Sequence, residues 1–239
     1  MKKLFFLLML LPFLGFSQMK NVVNANRIFA APGKDAALRK ALTAHAQKYH
    51  KGAWSWRVYS IESGPDAGGY HIVEGPNTWD ELDSRGDLGA AHTADWDNAI
   101  SGLLSDRGGS GYSEYDSDLS TSPLTEFSQK AVLFHIYPKP GKFGAAMNMV
   151  KGMKTTWATG TEAVAVFTSA SSGAPSITLV YRMKAGFKEM ADNFRKPTKE
   201  RYETLNGTGS YDRYLQSFAD NIESRWEEII VYHPEWSSK

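Results

Sequence analysis

Lys139-Pro140-Gly141-Lys142 decides the fold, because it repeats Ala31-Pro32-Gly33-Lys34 at an offset of 108 residues. The same offset joins Tyr49 to Trp157, Val58 to Val166, Ile72 to Val180, Trp79 to Phe187 and Glu81 to Glu189. Matches held in one frame across several elements mark a supersecondary unit that is written twice.

In the first copy, Val22 to Ala30 reads as a strand ended by the Pro32-Gly33 turn. Lys34 to His50 follows as a helix, with Asp35 in its first turn, where a carboxylate meets the positive end of the helix dipole. Leu38, Ala41, Leu42, His45 and Tyr49 fall on one stripe of that helix, and Gly52 suits its stop. Trp54 to Glu62 and Tyr70 to Glu74 are aromatic and β-branched strands on either side of a Gly-rich turn, which makes a hairpin. Thr78 to Ser84 predicts a short helix, Leu88 to Leu104 a longer one, and Gly111 to Asp118 a polar final strand. Gly108-Gly109-Ser110-Gly111 reads as a flexible turn before it. The order β-α-β-β-α-β is the ferredoxin-like plan.

The second copy rebuilds this order. Phe143, Ala146, Met149, Val150, Met153 and Trp157 restore the helical stripe, and Trp226 to His233 closes the unit as a strand. After Phe194 the frame slips, so that Trp96, Ile100 and Leu104 match Tyr214, Phe218 and Ile222. The insertion lies within 195–210, a charged stretch read as a local surface loop that the core does not need. The units are assigned to 20–118 and 130–236, with a Ser/Thr-rich linker at 119–129. Ala131 to Tyr137 and Ala163 to Phe167 are apolar on both faces, so one face meets helices and the other meets a second sheet. The expected fold class is α+β, two tandem ferredoxin-like units packed sheet to sheet.

Residues 1–18 read as a secretory signal peptide: Lys2 and Lys3, an apolar run from Leu4 to Phe16, then small residues. The run is too short for a comfortable membrane span. The protein is therefore expected to be exported, to the periplasm or beyond, with no integral membrane segment once the leader is removed. The chain has no Cys, which rules out disulfides and thiolate metal sites. Its near-balanced charge, +1 over the full chain, gives no electrostatic case for nucleic acid as a partner.

On its element order and its repeat, the chain from about 20 to 236 resembles the dimeric α/β-barrel superfamily, here as an intramolecular barrel of two fused units. That group includes antibiotic-biosynthesis monooxygenase-like proteins and haem-degrading monooxygenases. Ala25-Asn26-Arg27 on the first strand and Ala90-Ala91-His92 entering the second helix look like the haem-degrading pattern. The resemblance implies an Asn on that strand, a His as the iron ligand and a Trp ten residues before the His. Asn26 and His92 match. Leu82 stands where the Trp is expected, and Trp79 is three residues off. The second copy has Phe134 in place of Asn26 and no His between His135 and His233, so at most one unit carries such a site.

The remaining histidines have plainer readings. His45 lies where the other copy has Met153, a core position. His71 and His135 are mid-strand and either face a central cavity or are satisfied by neighbours. His45 and His50, five apart on a helix, point about 140° away from each other, a poor pair for one ion, and no metal site is expected. The chain contains no HExxH, P-loop or GxSxG triad. Two functions fit. One is non-catalytic binding of a small apolar or aromatic molecule in a barrel cavity. The other is a haem-dependent or cofactor-independent monooxygenase with Asn26, Trp79 and His92 as candidate residues. A protein-interaction role would rest on the insertion alone.

Overall fold

Side chains alternate along β1 (Val22–Ala30), and that alternation organises the molecule: Asn24, Asn26 and Ile28 face the helices, while Val23, Ala25 and Arg27 face a barrel interior. The computed structural model describes residues 19–169 and 173–239. The leader expected at 1–18 lies outside the described residues. Among them, no helix is long and apolar enough to cross a membrane.

The first half continues with α1 (Asp35–Tyr49), β2 (Trp56–Ile61), β3 (Tyr70–Asn77), α2 (Trp79–Ser84), α3 (Ala90–Ala99) and β4 (Leu104–Asp116). The second runs through β5 (Lys130–Pro138), α4 (Phe143–Thr159), β6 (Val164–Ser169), β7 (Ile177–Arg182), α5 (Thr198–Asn206), α6 (Ser210–Asn221) and β8 (Ile222–Tyr232). A capping box starts α2: Thr78 accepts from the Glu81 amide, and the Glu81 carboxylate accepts from the Thr78 amide. In α1 the stripe of Leu38, Leu42, His45 and Ala46 is buried, and in α4 that of Ala146, Val150, Met153 and Trp157. Leu38 and Leu42 pack with Val58, Ile72 and Ile100 in one core. Val150 and Trp157 pack with Val164, Val166 and Leu179 in another.

All eight strands pair antiparallel in a closed barrel of order β1-β3-β2-β8-β5-β7-β6-β4. Each half contributes four consecutive strands, β4-β1-β3-β2 and β8-β5-β7-β6. The sheets are not two open layers stacked face to face. They join at their edges, with Tyr59 opposite Tyr232 across β2–β8 and Tyr115 opposite Phe167 across β4–β6. Joining leaves no strand with a row of unpaired backbone groups, which an open pair of sheets would have.

Two local readings are corrected. Gly108 to Gly111 is not a turn: it lies inside β4, with Gly108 opposite Ile28 and Ser110 opposite Asn26. Glycine serves there because a Cβ on Gly108 would stand 2.9 Å from the Arg27 carbonyl oxygen. The insertion at 195–210 is not a loose surface loop either. It supplies α5, and the buried Arg201 donates to the Thr156 carbonyl at the end of α4 and to Glu162 at 2.9 Å. Arg195 adds a bond to the Gly160 carbonyl at 2.9 Å and an ion pair with Glu189. A charged stretch looked solvated because sequence does not reveal which arginine turns inward.

Candidate functional site

A cavity of about 560 Å³ lies between the outer face of β1, β2 and β3 and the layer formed by α3 and the segment before it. Its size suits a small organic molecule. Trp56 from β2 and Trp96 from α3 give it aromatic walls, Ile28 and Ile72 an apolar floor, and Asn26, Glu74, Arg85 and His92 its polar groups. Asn26 sits opposite Ile72 in β3, and its amide donates to Asn24 Oδ1 at 2.6 Å.

Glu74 organises the inner wall. Its Oε2 accepts from Trp56 Nε1 at 2.9 Å and Arg85 Nη2 at 2.8 Å, and lies 3.3 Å from His50 Nδ1. The His50 ring stacks on Trp56 with centroids 3.7 Å apart. Beside it, His45 is fully buried, with Nδ1 2.8 Å from Asp95 Oδ2 and Nε2 3.1 Å from His92 Nε2. One ring nitrogen from each of His45, His50 and His92 lies within 4.8 Å of the other two. Burial is the largest influence on each and pushes its pKa below the usual histidine value. It outweighs the opposing pull of Asp95 on His45 and of Glu74 on His50, and the neutral ring is favoured at all three.

The helical-wheel argument that separated His45 from His50 does not hold. α1 ends at Tyr49, and His50 is already extended, with φ −104 and ψ 103, which swings its ring back toward His45. Gly52, read correctly as a stop signal, was the available clue that His50 lies off the helix. The partners Glu74, Arg85 and Asp95 carry no sequence signal, because each is an ordinary charged residue until the fold buries or pairs it.

Two further cavities are differently built. One of about 540 Å³ occupies the corresponding place in the second half, where Phe134, Met153, Trp157, Tyr181 and Tyr214 line it. Phe134 takes the place of Asn26 and Met153 that of His45, so the histidine cluster is absent, while Glu162, Glu189, Arg195 and Arg225 supply charged groups. The third, about 170 Å³, lies inside the barrel beside Arg27, His71 and His135. There Arg27 forms a bidentate ion pair with the buried Glu228. Burial raises the Glu228 pKa, but the bonds from Arg27 and His135 outweigh it and bring it down to about 2. Burial, then the Arg27 charge, pushes His71 down to about 3.

Of the residues singled out from sequence, Asn26 and His92 line the same cavity and Trp79 does not. Trp79 projects from α2 toward β4, donating from Nε1 to Glu114 at 2.6 Å with its ring against Tyr112. A haem iron held by His92 requires a free Nε2 lone pair. That nitrogen is instead 3.1 Å from His45 Nε2, so the His45 ring occupies space that a flat macrocycle bound at His92 would need. The residues present do not fit haem in the manner the sequence pattern implies.

No family model matches the chain, and no curated protein does. Solved structures do. A Fusobacterium nucleatum protein proposed to be a monooxygenase matches with a TM-score of 0.55 and 12% identity, over 88% of this chain and 91% of its own. A structure reported as an anthrone oxidase-like protein matches with a TM-score of 0.58 and 11% identity, over 90% of this chain and 92% of its own. A Lactobacillus acidophilus protein, also proposed to be a monooxygenase, reaches 0.50 at 11% identity, over 92% of this chain and 96% of its own. Identities this low establish fold and not activity. The chain thus shares the α+β fold of these solved structures.

Proposed function

We propose that the chain is an exported small-molecule oxygenase, made of two ferredoxin-like units fused into one barrel, whose first-half cavity takes a flat, largely apolar substrate with a polar handle. One observation carries this reading: Asn26, Arg85 and His92 converge on an aromatic-walled cavity of substrate size, while the matching cavity of the other half has Phe134 at the Asn26 position. Trp56 and Trp96 offer ring faces to a planar molecule, and Asn26 and Arg85 offer hydrogen bonds to a carbonyl or phenol oxygen. The structural likeness to an anthrone oxidase-like protein supports a polycyclic phenol or anthrone as the first substrate to try. Oxidation of an activated CH₂ to C=O by O₂ balances without an added reductant: one oxygen atom enters the product, the other leaves as water, and the CH₂ supplies all four electrons.

The test is oxygen uptake and product mass with anthrone, for the wild type and for Asn26→Phe, which copies the second half. Turnover that Asn26→Phe abolishes supports the reading. Quenching of tryptophan fluorescence by anthrone without oxygen uptake favours non-catalytic binding, and neither quenching nor uptake overturns the proposal for this substrate class. Export is tested by the N-terminal mass of the native protein, expected to begin near Gln18 or Met19.

A further inference from the structure

We propose that His45, His50 and His92 bind one divalent transition-metal ion through their Nε2 atoms, with a coordination position open to the first-half cavity. The inference does not depend on the oxygenase reading, since the site is defined by the rings alone.

In a neutral imidazole one ring nitrogen carries a proton and the other a lone pair. A carboxylate at Nδ1 draws the proton to that side, as Asp95 does at 2.8 Å for His45 and Glu74 at 3.3 Å for His50. Both Nε2 atoms are then lone-pair acceptors. His92 can satisfy one by donating from its own Nε2 to His45 Nε2 at 3.1 Å. It cannot satisfy the other. His50 Nε2 is buried and has no hydrogen-bond partner, in a ring that is 2% exposed. One proton can link two of these nitrogens, whereas a cation can satisfy all three.

The spacing agrees. Nitrogens bound to zinc at about 2.0–2.1 Å in a tetrahedron stand roughly 3.3 Å apart. His45 and His92 are already at 3.1 Å, and the third nitrogen lies within 4.8 Å, inside the reach of a side-chain rotation. A carboxylate behind a ligating histidine is the usual outer shell of such a centre, fixing the tautomer and the ring orientation. Two of the three rings have one, and the neighbouring cations are themselves paired with these carboxylates, Arg85 with Glu74 at 2.8 Å and Lys48 with Asp95 at 3.3 Å. Three neutral imidazoles suit zinc, iron, copper or nickel rather than magnesium or calcium. His50 and His92 belong to the cavity wall and His45 lies behind them, so a fourth position would face the cavity and accept water or a substrate oxygen.

The experiment uses the full chain without an affinity tag, stripped with a chelator and titrated anaerobically, with no organic substrate, by Zn²⁺ in a calorimeter and by Co²⁺ in a spectrophotometer. One ion per chain and visible Co²⁺ d–d bands are expected. His92→Ala, at a partly exposed helix position, should bind at least 100-fold more weakly and lose those bands while its circular dichroism stays native. Asp95→Ala, which touches no ion, should weaken binding by about 10–100-fold. His45 is buried in the core, so these two variants carry the test. Absence of stoichiometric binding overturns the proposal, and so does full affinity in His92→Ala. Failure of the anthrone assay with metal bound would remove the oxygenase reading and leave the metal site standing.

Discussion

Arg27 and His135 hold the same place in the two halves, 108 residues apart, and their side chains meet inside the barrel, Nη2 to Nε2 at 3.4 Å. Both reach the carboxylate of Glu228 in β8, Arg27 from Nη1 at 2.8 Å and His135 from Nε2 at 3.0 Å. A charge with no exposed side-chain surface is thus held between the two halves. Arg27→Met, which strands that charge, should cost roughly 3–5 kcal/mol. The double variant Arg27→Met, Glu228→Met should recover most of it, because a buried ion pair gains little over an apolar pair of similar volume. Urea unfolding of the four members of the cycle measures both.

The same carboxylate makes the barrel acid-sensitive. Glu228 titrates near 4.5 when unfolded and at about 2 when folded. Its contribution, on the order of 3 kcal/mol, is complete above pH 4.5 and is lost as pH falls toward 2. His71 acts in the same direction, with a folded value of about 3 against 6.5. It stays neutral in the fold while the unfolded chain takes up a proton below pH 6.5, so its contribution is complete above 6.5 and lost as pH falls toward 3. The melting temperature should therefore decline steadily from pH 7 to pH 3. In Glu228→Gln the portion below pH 4.5 should become shallower, with the His71 contribution remaining, which a set of thermal melts across that range will show.

Arg201 ties the inserted helix α5 to the end of α4. Arg201→Ala removes its bonds to the Thr156 carbonyl and to Glu162. A loss of about 2–3 kcal/mol is expected, since hydrogen bonds to a charged group are the stronger kind. In a chain of this length that lowers the melting temperature by roughly 4–10 °C. Arg201→Lys should not restore it, because a lysine cannot serve several acceptors with a planar fork. Calorimetry of the two variants separates charge from geometry.

Gly64 and Gly68 test the seam between β2 and β8. Both have positive φ, +87 and +83. At Gly68 an added Cβ meets nothing within 4 Å, whereas at Gly64 it would stand 2.6 Å from the Glu227 carbonyl oxygen in β8. Gly68→Ala should cost only the left-handed backbone term, about 1–2 kcal/mol. Gly64→Ala should cost distinctly more, and the difference in denaturation midpoint reports on the seam itself. Equal costs would mean that the hairpin yields freely.

The repeat made the architecture legible because strands and helical stripes are local patterns, and matched turns such as Pro32-Gly33 and Pro140-Gly141 align them. Closure into a barrel followed from the family resemblance and not from the residues, since no property of Tyr59 or Phe167 announces which edge it will pair with. At the site, Asn26 and His92 stood out because their counterparts in the other half are apolar or absent. His50 was lost to a one-residue error in where α1 stops. Asp95 and Glu74 act only through rings brought to them by tertiary contact, a relation that spacing along the chain does not encode.

Because β8 lies between β2 and β5, the barrel cannot close until the last strand is in place. Residues 222–232 are made after the other described strands, so a nascent chain carries the bare edges of β2 and β5 until they emerge. Bare edges pair with whatever strand they meet, and unfinished chains of this size are prone to do so. The interval before completion is therefore the vulnerable one for this protein. Removing the final strand would leave a sticky open sheet in place of a smaller stable domain.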